Sequence, residues 1–390
     1  MVKPFSFSKL PLIQFGPGKL NILPGMISKF GKNIIIVSNE RSFSGTEAAS
    51  QLFDKLELND ISYTIISVPG EPSPEMIDVA NARFSSGKID AVVSVGGGSV
   101  MDAGKAISAM LYMNVSVKEF LEGVGTREHP GSKVPFIAVP TTSGTGSEVT
   151  KNAVLSETGK NGFKKSLRHD NFVPDVALVD PSLTISCPSE VTAASGMDCF
   201  SQLTEAFLSE KSNEYTDTLA LEGLKAIKQS LHASYSDGTD IEARTDMSFA
   251  ALTSGICLAN AGLGVVHGFA SSIGGMFDIP HGVVCGTIMA SANEITVREL
   301  RRKEENSAAL KKYAALGRIF IESTVNSDEY YIDSFIDFLK DLTSIFELPK
   351  LGTYGIKSED IEGICSITEQ KNNPVKLDPE SLAGILYPRI

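Results

Sequence analysis

Short β-branched runs alternate with amphipathic stretches through the first half of the chain. Asn33-Ile-Ile-Ile-Val-Ser38 is a nearly continuous apolar run, the pattern of a parallel strand buried on both faces. Ser62–Ser67, Asp90–Val95, Pro135–Val139 and Val176–Asp180 read as further strands. Between them, the segment from about Gly45 to Leu58 has helical spacing, and Pro74 opens another helix at a position the first turn favours. Strands and helices alternating at this spacing predict right-handed βαβ units and a doubly wound parallel sheet, an α/β fold. Ala153–Leu167 carries two polar-apolar segments around a Gly-Lys-Asn-Gly turn and reads as a hairpin.

The period changes after Pro188. Long amphipathic stretches follow at Pro188–Glu210, Asn213–His232, Ile241–Ala261, Glu305–Ile321 and Ser334–Phe346, and strand-like runs become scarce. This predicts two domains, an α/β domain over 1–185 and an all-helical domain over 186–390. The length of 390 residues agrees with that division. No internal repeat or flexible tether separates them.

Composition narrows the class. The net charge of −12 argues against a nucleic-acid partner. No window approaches the roughly 20 uncharged apolar residues of a membrane span, and the first residues lack a signal peptide's apolar core. The five cysteines (187, 199, 257, 285 and 365) are scattered and form no CxxC pair, as expected of reduced thiols in a cytoplasmic protein. Cys199 and Cys285 lie beside candidate site residues and are read as small buried hydrophobes.

Three places carry candidate chemistry. Gly96-Gly97-Gly98-Ser99 follows a strand and opens a helix, so backbone N–H groups and the positive end of the helix dipole can meet a phosphate. Ser99 is expected to cap that helix, with Asp102 completing a capping box. Neither GxGxxG nor a P-loop is present. The hydroxyl-rich loop Pro140–Thr150 follows a strand at the carboxyl edge of the sheet, where α/β folds bind ligands. Its Thr141, Thr142, Thr145 and Ser147 can hold a ribose, a pyrophosphate or an amide. Asn39 ends the first strand, where dinucleotide folds often place an acid for the ribose; a neutral Asn with Arg41 nearby tolerates a 2′-phosphate. The third place is 195–288. Asp198 and Gln202 are spaced i, i+4 on one helix face, and two of the five histidines, His267 and His281, stand 14 residues apart. One carboxylate, one amide oxygen and two imidazoles suit iron(II), zinc, manganese or nickel.

With these motifs, the chain resembles the iron-containing (group III) alcohol dehydrogenase family. The likeness runs through Ile13-Gln-Phe-Gly-Pro-Gly18, Gly96–Lys105, Pro140–Glu148, Pro174–Pro181, Gly196-Met-Asp198, Pro280-His-Gly282 and Asn373-Pro374. The resemblance implies a dehydroquinate-synthase-like fold, with a cofactor domain, a helical metal domain and the site between them. It implies NAD or NADP and a divalent metal, iron first and zinc or manganese next, acting on a small alcohol or aldehyde. Gly97, Gly98 and Ser99 would hold the pyrophosphate, Thr141, Thr142 and Thr145 would line the nicotinamide end, and Lys164 would be the cofactor-binding lysine. Asp198, His267 and His281 match three of four family metal ligands. The resemblance also implies a homodimer paired through an N-terminal strand near Phe5–Phe15.

Two positions depart from the family. Gln202 stands where the fourth metal ligand is a histidine, and Ser271 stands where a histidine lies close to the reacting centre. An amide oxygen binds late first-row metals more weakly and tilts the site toward harder ions. Ser271 can only pass a proton along hydroxyls and water. The leading expectation is hydride transfer assisted by the metal as Lewis acid, with His267, His281 and Ser271 at the reacting centre. The alternatives are a metal-independent reductase of the maleylacetate reductase type, a lyase resembling 3-dehydroquinate synthase, and an inactive cofactor-binding homologue. Phe163, Phe269 and Phe277 are expected to line the substrate cleft.

Overall fold

The computed structural model describes residues 2, 4–85, 87–159, 162–303 and 307–390. Among them, six parallel strands form one sheet: β1 (Leu12–Phe15), β2 (Asn33–Ser38), β3 (Ser62–Ser67), β4 (Ala91–Gly96), β5 (Phe136–Pro140) and, after a hairpin, β8 (Val176–Val179). Their order across the sheet is β1-β8-β5-β4-β2-β3. Apolar side chains of β2, β4 and β5 are buried on both faces, because helices cover both. The hairpin pairs β6 (Asn152–Glu157) with β7 (Phe163–Arg168), antiparallel from Asn152↔Arg168 to Glu157↔Phe163. Lys160 and Asn161 of its expected turn lie outside the described residues.

Local chemistry places the helices between strands. After α1 (Leu23–Ile27), Thr46 Oγ1 accepts from Ala49 N and starts α2 (Glu47–Leu58). Ser73 does the same for Met76 N, with Pro74 first in α3 (Pro74–Phe84). Helix α4 (Gly98–Met110) corrects the expected capping box. Its N-cap is Gly97, and Ser99 already lies inside the first turn. The chain turns into the helix directly at the end of β4, and a Cβ at Gly96 would sit 2.6 Å from Val100. The first strand, β1, pairs in register with β8 of the same chain, Leu12 opposite Val176. Its four residues, Leu12 exposed and the other three partly buried, leave no apolar run.

From Ser189 onward the described elements are helical: α5 (Ser189–Leu208), α6 (Glu214–Ser236), α7 (Ile241–Ala261), α8 (Val265–Met276), α9 (His281–Lys303), α10 (Ser307–Phe320), α11 (Asp328–Ile345), α12 (Ile361–Ile367) and α13 (Pro379–Leu386), with short 3₁₀ turns. Helix α11 starts earlier than the apolar spacing suggested, because Ser327 Oγ caps Tyr330 N. No single described helix is long and apolar enough to cross a membrane. Helix α5 is the axis of this part. Every residue from Gly196 to Leu208 is buried, including Asp198, Ser201, Gln202, Thr204 and Glu205. Such groups ordinarily need partners; Asp198, Gln202 and Glu205 have them, and the Ser201 and Thr204 hydroxyls do not.

The helices and the sheet meet backbone to backbone at the hydroxyl-rich loop. Gly146 has φ +64°, and a Cβ there would lie 2.3 Å from Ala251 O of α7. A Cβ on Gly255 would lie 2.2 Å from Gly146 O. Gly255→Ala is therefore expected to push the loop off α7 and destabilise the protein by about 1–3 kcal/mol. A thermal melt reads this as a lowered Tm; an unchanged Tm would contradict so close an approach.

Candidate active site

Asp198, His267, His281 and Cys285 converge from three helices, their potential ligand atoms all within 4.8 Å of one another. His267 Nε2 lies 3.2 Å from Asp198 Oδ1, His281 Nε2 lies 3.6 Å from the same oxygen, and Cys285 Sγ lies 3.7 Å from His281 Nε2. On its other side, His267 Nδ1 meets Glu205 Oε2 at 2.7 Å, and Glu205 Oε1 accepts from Val266 N at 2.6 Å. Glu205 thereby places the ring's hydrogen on Nδ1 and turns Nε2 toward Asp198, as outer carboxylates do for metal-bound histidines. The sequence signal for Glu205 was its i+7 spacing from Asp198; that for Cys285 was its i+4 spacing from His281.

Electrostatics suits a cation here. Burial, only partly offset by Asp198, pushes the His281 imidazole down to about 4, so it is neutral with a free lone pair. Its Nδ1 is buried without a partner. Burial also disfavours a charged His267, but Cys285, Asp198 and Glu205 outweigh it and hold that ring well above its ordinary value. Burial would raise Asp198, and the two imidazoles, His281 first, bring it below the usual carboxylate range. In the metal-free protein, burial pushes the Cys285 thiol up to about 12. Donor types, burial and separations together fit a divalent ion.

The two departures from the family pattern have definite places. The Gln202 amide nitrogen donates to Thr145 O at 2.8 Å and to Ser254 Oγ at 3.0 Å. One hydrogen thus ties α5 to the hydroxyl-rich loop and the other ties it to α7, and only its oxygen remains for any other partner. Ser271 donates to His267 O one turn back, at 2.9 Å. Its lone pairs remain; its hydrogen is committed to the helix. Phe269 is fully buried in the helical core and does not line a cleft, whereas Phe163 and Phe277 are only partly buried.

The nucleotide candidates gather across from this cluster. A Cβ at Gly97 would touch Thr142 at 3.4 Å, and one at Gly98 would touch Thr145 Oγ1 at 3.4 Å, so the glycine turn and the hydroxyl loop face each other. Thr141 N donates to Gly96 O, and the Thr141 hydroxyl is buried without a hydrogen-bond partner. Lys164 Nζ reaches Glu71 Oε2 at 3.0 Å, and Ser99 Oγ reaches Glu71 Oε1 at 3.4 Å. Burial would raise Glu71, but Lys164, ahead of His281 and Ser99, holds it below its ordinary value. One carboxylate therefore feels the glycine turn, the hairpin lysine and a member of the histidine cluster at once.

Other expected nucleotide residues are engaged elsewhere. Asn39 caps the short turn after β2, accepting from Arg41 N and donating to Val68 O. Ser147 donates to Asp102 Oδ1 at 2.8 Å, and both stand beside Lys105, a residue the sequence left without a role. Lys105 Nζ, almost fully buried, contacts Ser147 O, Ser147 Oγ, Thr150 Oγ1 and Asn152 O at 2.6–3.2 Å. This cation holds the far end of the hydroxyl-rich loop in place.

Residues 11–181 match the family model described as iron-containing alcohol dehydrogenase, and residues 192–386 match the model of that family's C-terminal part. The chain belongs to the iron-containing alcohol dehydrogenase family, and it is an oxidoreductase acting on CH–OH groups. It is 36% identical over 274 residues to long-chain-alcohol dehydrogenase 1 of Geobacillus thermodenitrificans, covering 70% of this chain and 68% of that one. It is 31% identical over 301 residues to the NAD-dependent methanol dehydrogenase of Bacillus methanolicus, covering 75% and 74%. The solved alcohol dehydrogenase from Oenococcus oeni superposes with a TM-score of 0.88 at 28% identity, over 99% of this chain and all of the other.

Two outcomes are expected. Glu205→Gln removes the charge that orients His267 and should weaken metal binding roughly 10–100-fold, read by competition with a chelating dye. Burial raises the Glu148 carboxyl to about 7, opposed in part by its own backbone N–H and Lys105. A raised carboxyl stabilises the fold below its unfolded value of 4.5 and loses that contribution as pH climbs toward 7. Asp102, raised by burial to about 6, acts in the same sense. Glu148→Gln should flatten the fall of Tm across that window and leave the smaller share due to Asp102.

Proposed function

We propose that this protein interconverts an alcohol and its aldehyde or ketone, using NAD or NADP and a divalent metal. Residues 1–185 would serve the nucleotide and residues 186–390 the metal. The observation that carries the reading is the convergence at Glu71, which bonds both Ser99 of the glycine turn and Lys164 of the hairpin and lies near enough to His281 for their charges to interact. Cofactor and metal candidates share one cleft, as hydride transfer to a polarised carbonyl requires.

When bound, the ion supplies Lewis-acid polarisation of the substrate oxygen, and the nicotinamide supplies or accepts the hydride. The residues do the rest. Gly97, Gly98 and Ser99 offer close backbone approach and the N-terminal N–H groups of α4 to the pyrophosphate. Lys164 exchanges its Glu71 partner for nucleotide oxygens. Thr141, Thr142 and Thr145 face the nicotinamide end. Asp198, His267 and His281 present ligand atoms, and Glu205 keeps the His267 lone pair on the cleft side. The alcohol proton leaves to water; Ser271, its hydrogen tied to His267 O, offers a lone pair that can accept a hydrogen bond from that water and would have to turn its own hydrogen away from His267 O to pass a proton on.

The iron of the family name is the first candidate ion. Five free cysteines favour a reducing, cytoplasmic setting. The sheet-edge position of β1, with Leu12 exposed, favours pairing of two copies there.

The purified protein should reduce short aldehydes with NADH or NADPH, lose that activity on chelation, and regain it with iron(II), zinc or manganese. Full activity in demonstrably metal-free protein would remove the metal from the reaction. Lys164→Ala should raise the nucleotide KM roughly 10–100-fold, the equivalent of losing one hydrogen bond to a charged group, about 1.5–3 kcal/mol.

A further inference from the structure

The family's fourth metal ligand is missing at position 202, and the structure offers a different donor nearby. Cys285 follows His281 by one turn on the same face of α9 and is fully buried. Its sulfur sits 3.7 Å from His281 Nε2 and within 4.8 Å of the Asp198 and His267 ligand atoms. Metal–ligand bonds of about 2.0–2.3 Å around a tetrahedral ion put neighbouring donors about 3.3–3.8 Å apart. Three of the six donor separations, 3.2 Å for His267–Asp198, 3.6 Å for Asp198–His281 and 3.7 Å for His281–Cys285, follow that spacing, and the others lie within 4.8 Å. Gln202, by contrast, spends both amide hydrogens on Thr145 O and Ser254 Oγ and acts as the joint between α5 and the hydroxyl-rich loop.

We infer that Cys285 supplies the fourth protein ligand, as a thiolate, making an Asp198–His267–His281–Cys285 centre for a zinc-class ion. The inference rests on the metal-using reading of the site given above. On coordination the thiol proton leaves to solvent and the sulfur electron pair goes to the ion. Two anionic donors then neutralise a divalent ion, where a family-type set of one carboxylate and three imidazoles leaves one positive charge. A thiolate also reverses the bias that an amide oxygen would give. It favours zinc or cobalt over manganese or magnesium. The same pair of helices that carries the two histidines thus replaces the lost imidazole without moving the backbone.

Cobalt(II) reports this directly. Purified protein is stripped with chelator, titrated with cobalt(II) and followed by absorption. The wild type should show a near-ultraviolet sulfur-to-cobalt charge-transfer band together with intense visible bands. Cys285→Ser should lose the near-ultraviolet band and bind cobalt more weakly, by at least the roughly 10–100-fold that loss of an outer partner costs. Wild-type protein that binds one cobalt with no charge-transfer band would overturn the thiolate assignment and leave the metal-dependent reading standing, as would a band that survives Cys285→Ser. Wild-type protein that binds no cobalt, zinc or iron(II) would overturn both. The wild-type spectrum decides the matter even if the variant fails to fold.

Discussion

His267 is held between two carboxylates of one helix, and much of the molecule follows from that arrangement. Asp198 and Glu205 stand two turns apart on α5 and grip opposite nitrogens of the same ring. Two buried carboxylates close to each other are costly unless positive charge lies between them. The imidazole meets part of that demand, and a divalent ion at the Asp198 side would meet the rest. Helix α5 is buried without a break from Gly196 to Leu208, which keeps water from both carboxylates. The surrounding apolar side chains of α6, α7, α9 and α10 provide that enclosure.

The second constraint is the joint between the two halves of the chain. The hydroxyl-rich loop is fixed from one side by buried Lys105 and from the other by the glycine contact with α7 and the Gln202 amide. In the proposed function this loop would hold a nucleotide beside a metal, and it would need this kind of support, since an error of an ångström separates hydride donor and acceptor. Gln202, which as a bare substitution looks like a weakened ligand, thus braces this loop against α5. The amide at 202 keeps Thr145 O paired.

Much of the α/β half was legible in advance because burial on both sheet faces imposes long β-branched runs. β2 and β3 occupy the spans their apolar pattern indicated, β4 and β5 are each shifted by one residue at both ends, and β8 ends one residue earlier. The short edge strand β1 was not legible from pattern, because its four residues, exposed or only partly buried, leave no such run. The cap of α4 was misplaced because Ser99 has the right chemistry for a cap, yet steric crowding at Gly96 and Val100 starts the helix a residue before it. Asn39 went to a turn cap for a similar reason: its side chain meets local N–H groups before it can meet any ligand.

The sequence by itself determined the family, the alternation of strands and helices, and the Asp198, His267 and His281 set, since these rest on local pattern and on motifs at fixed spacing. Only the tertiary structure decided which groups share a point in space. Glu205 and Cys285 join that set through the packing of α5, α8 and α9, and Glu71 meets Lys164 across 93 residues of chain. Such meetings depend on how helices cross and which faces they bury, and a linear spacing carries no information about that.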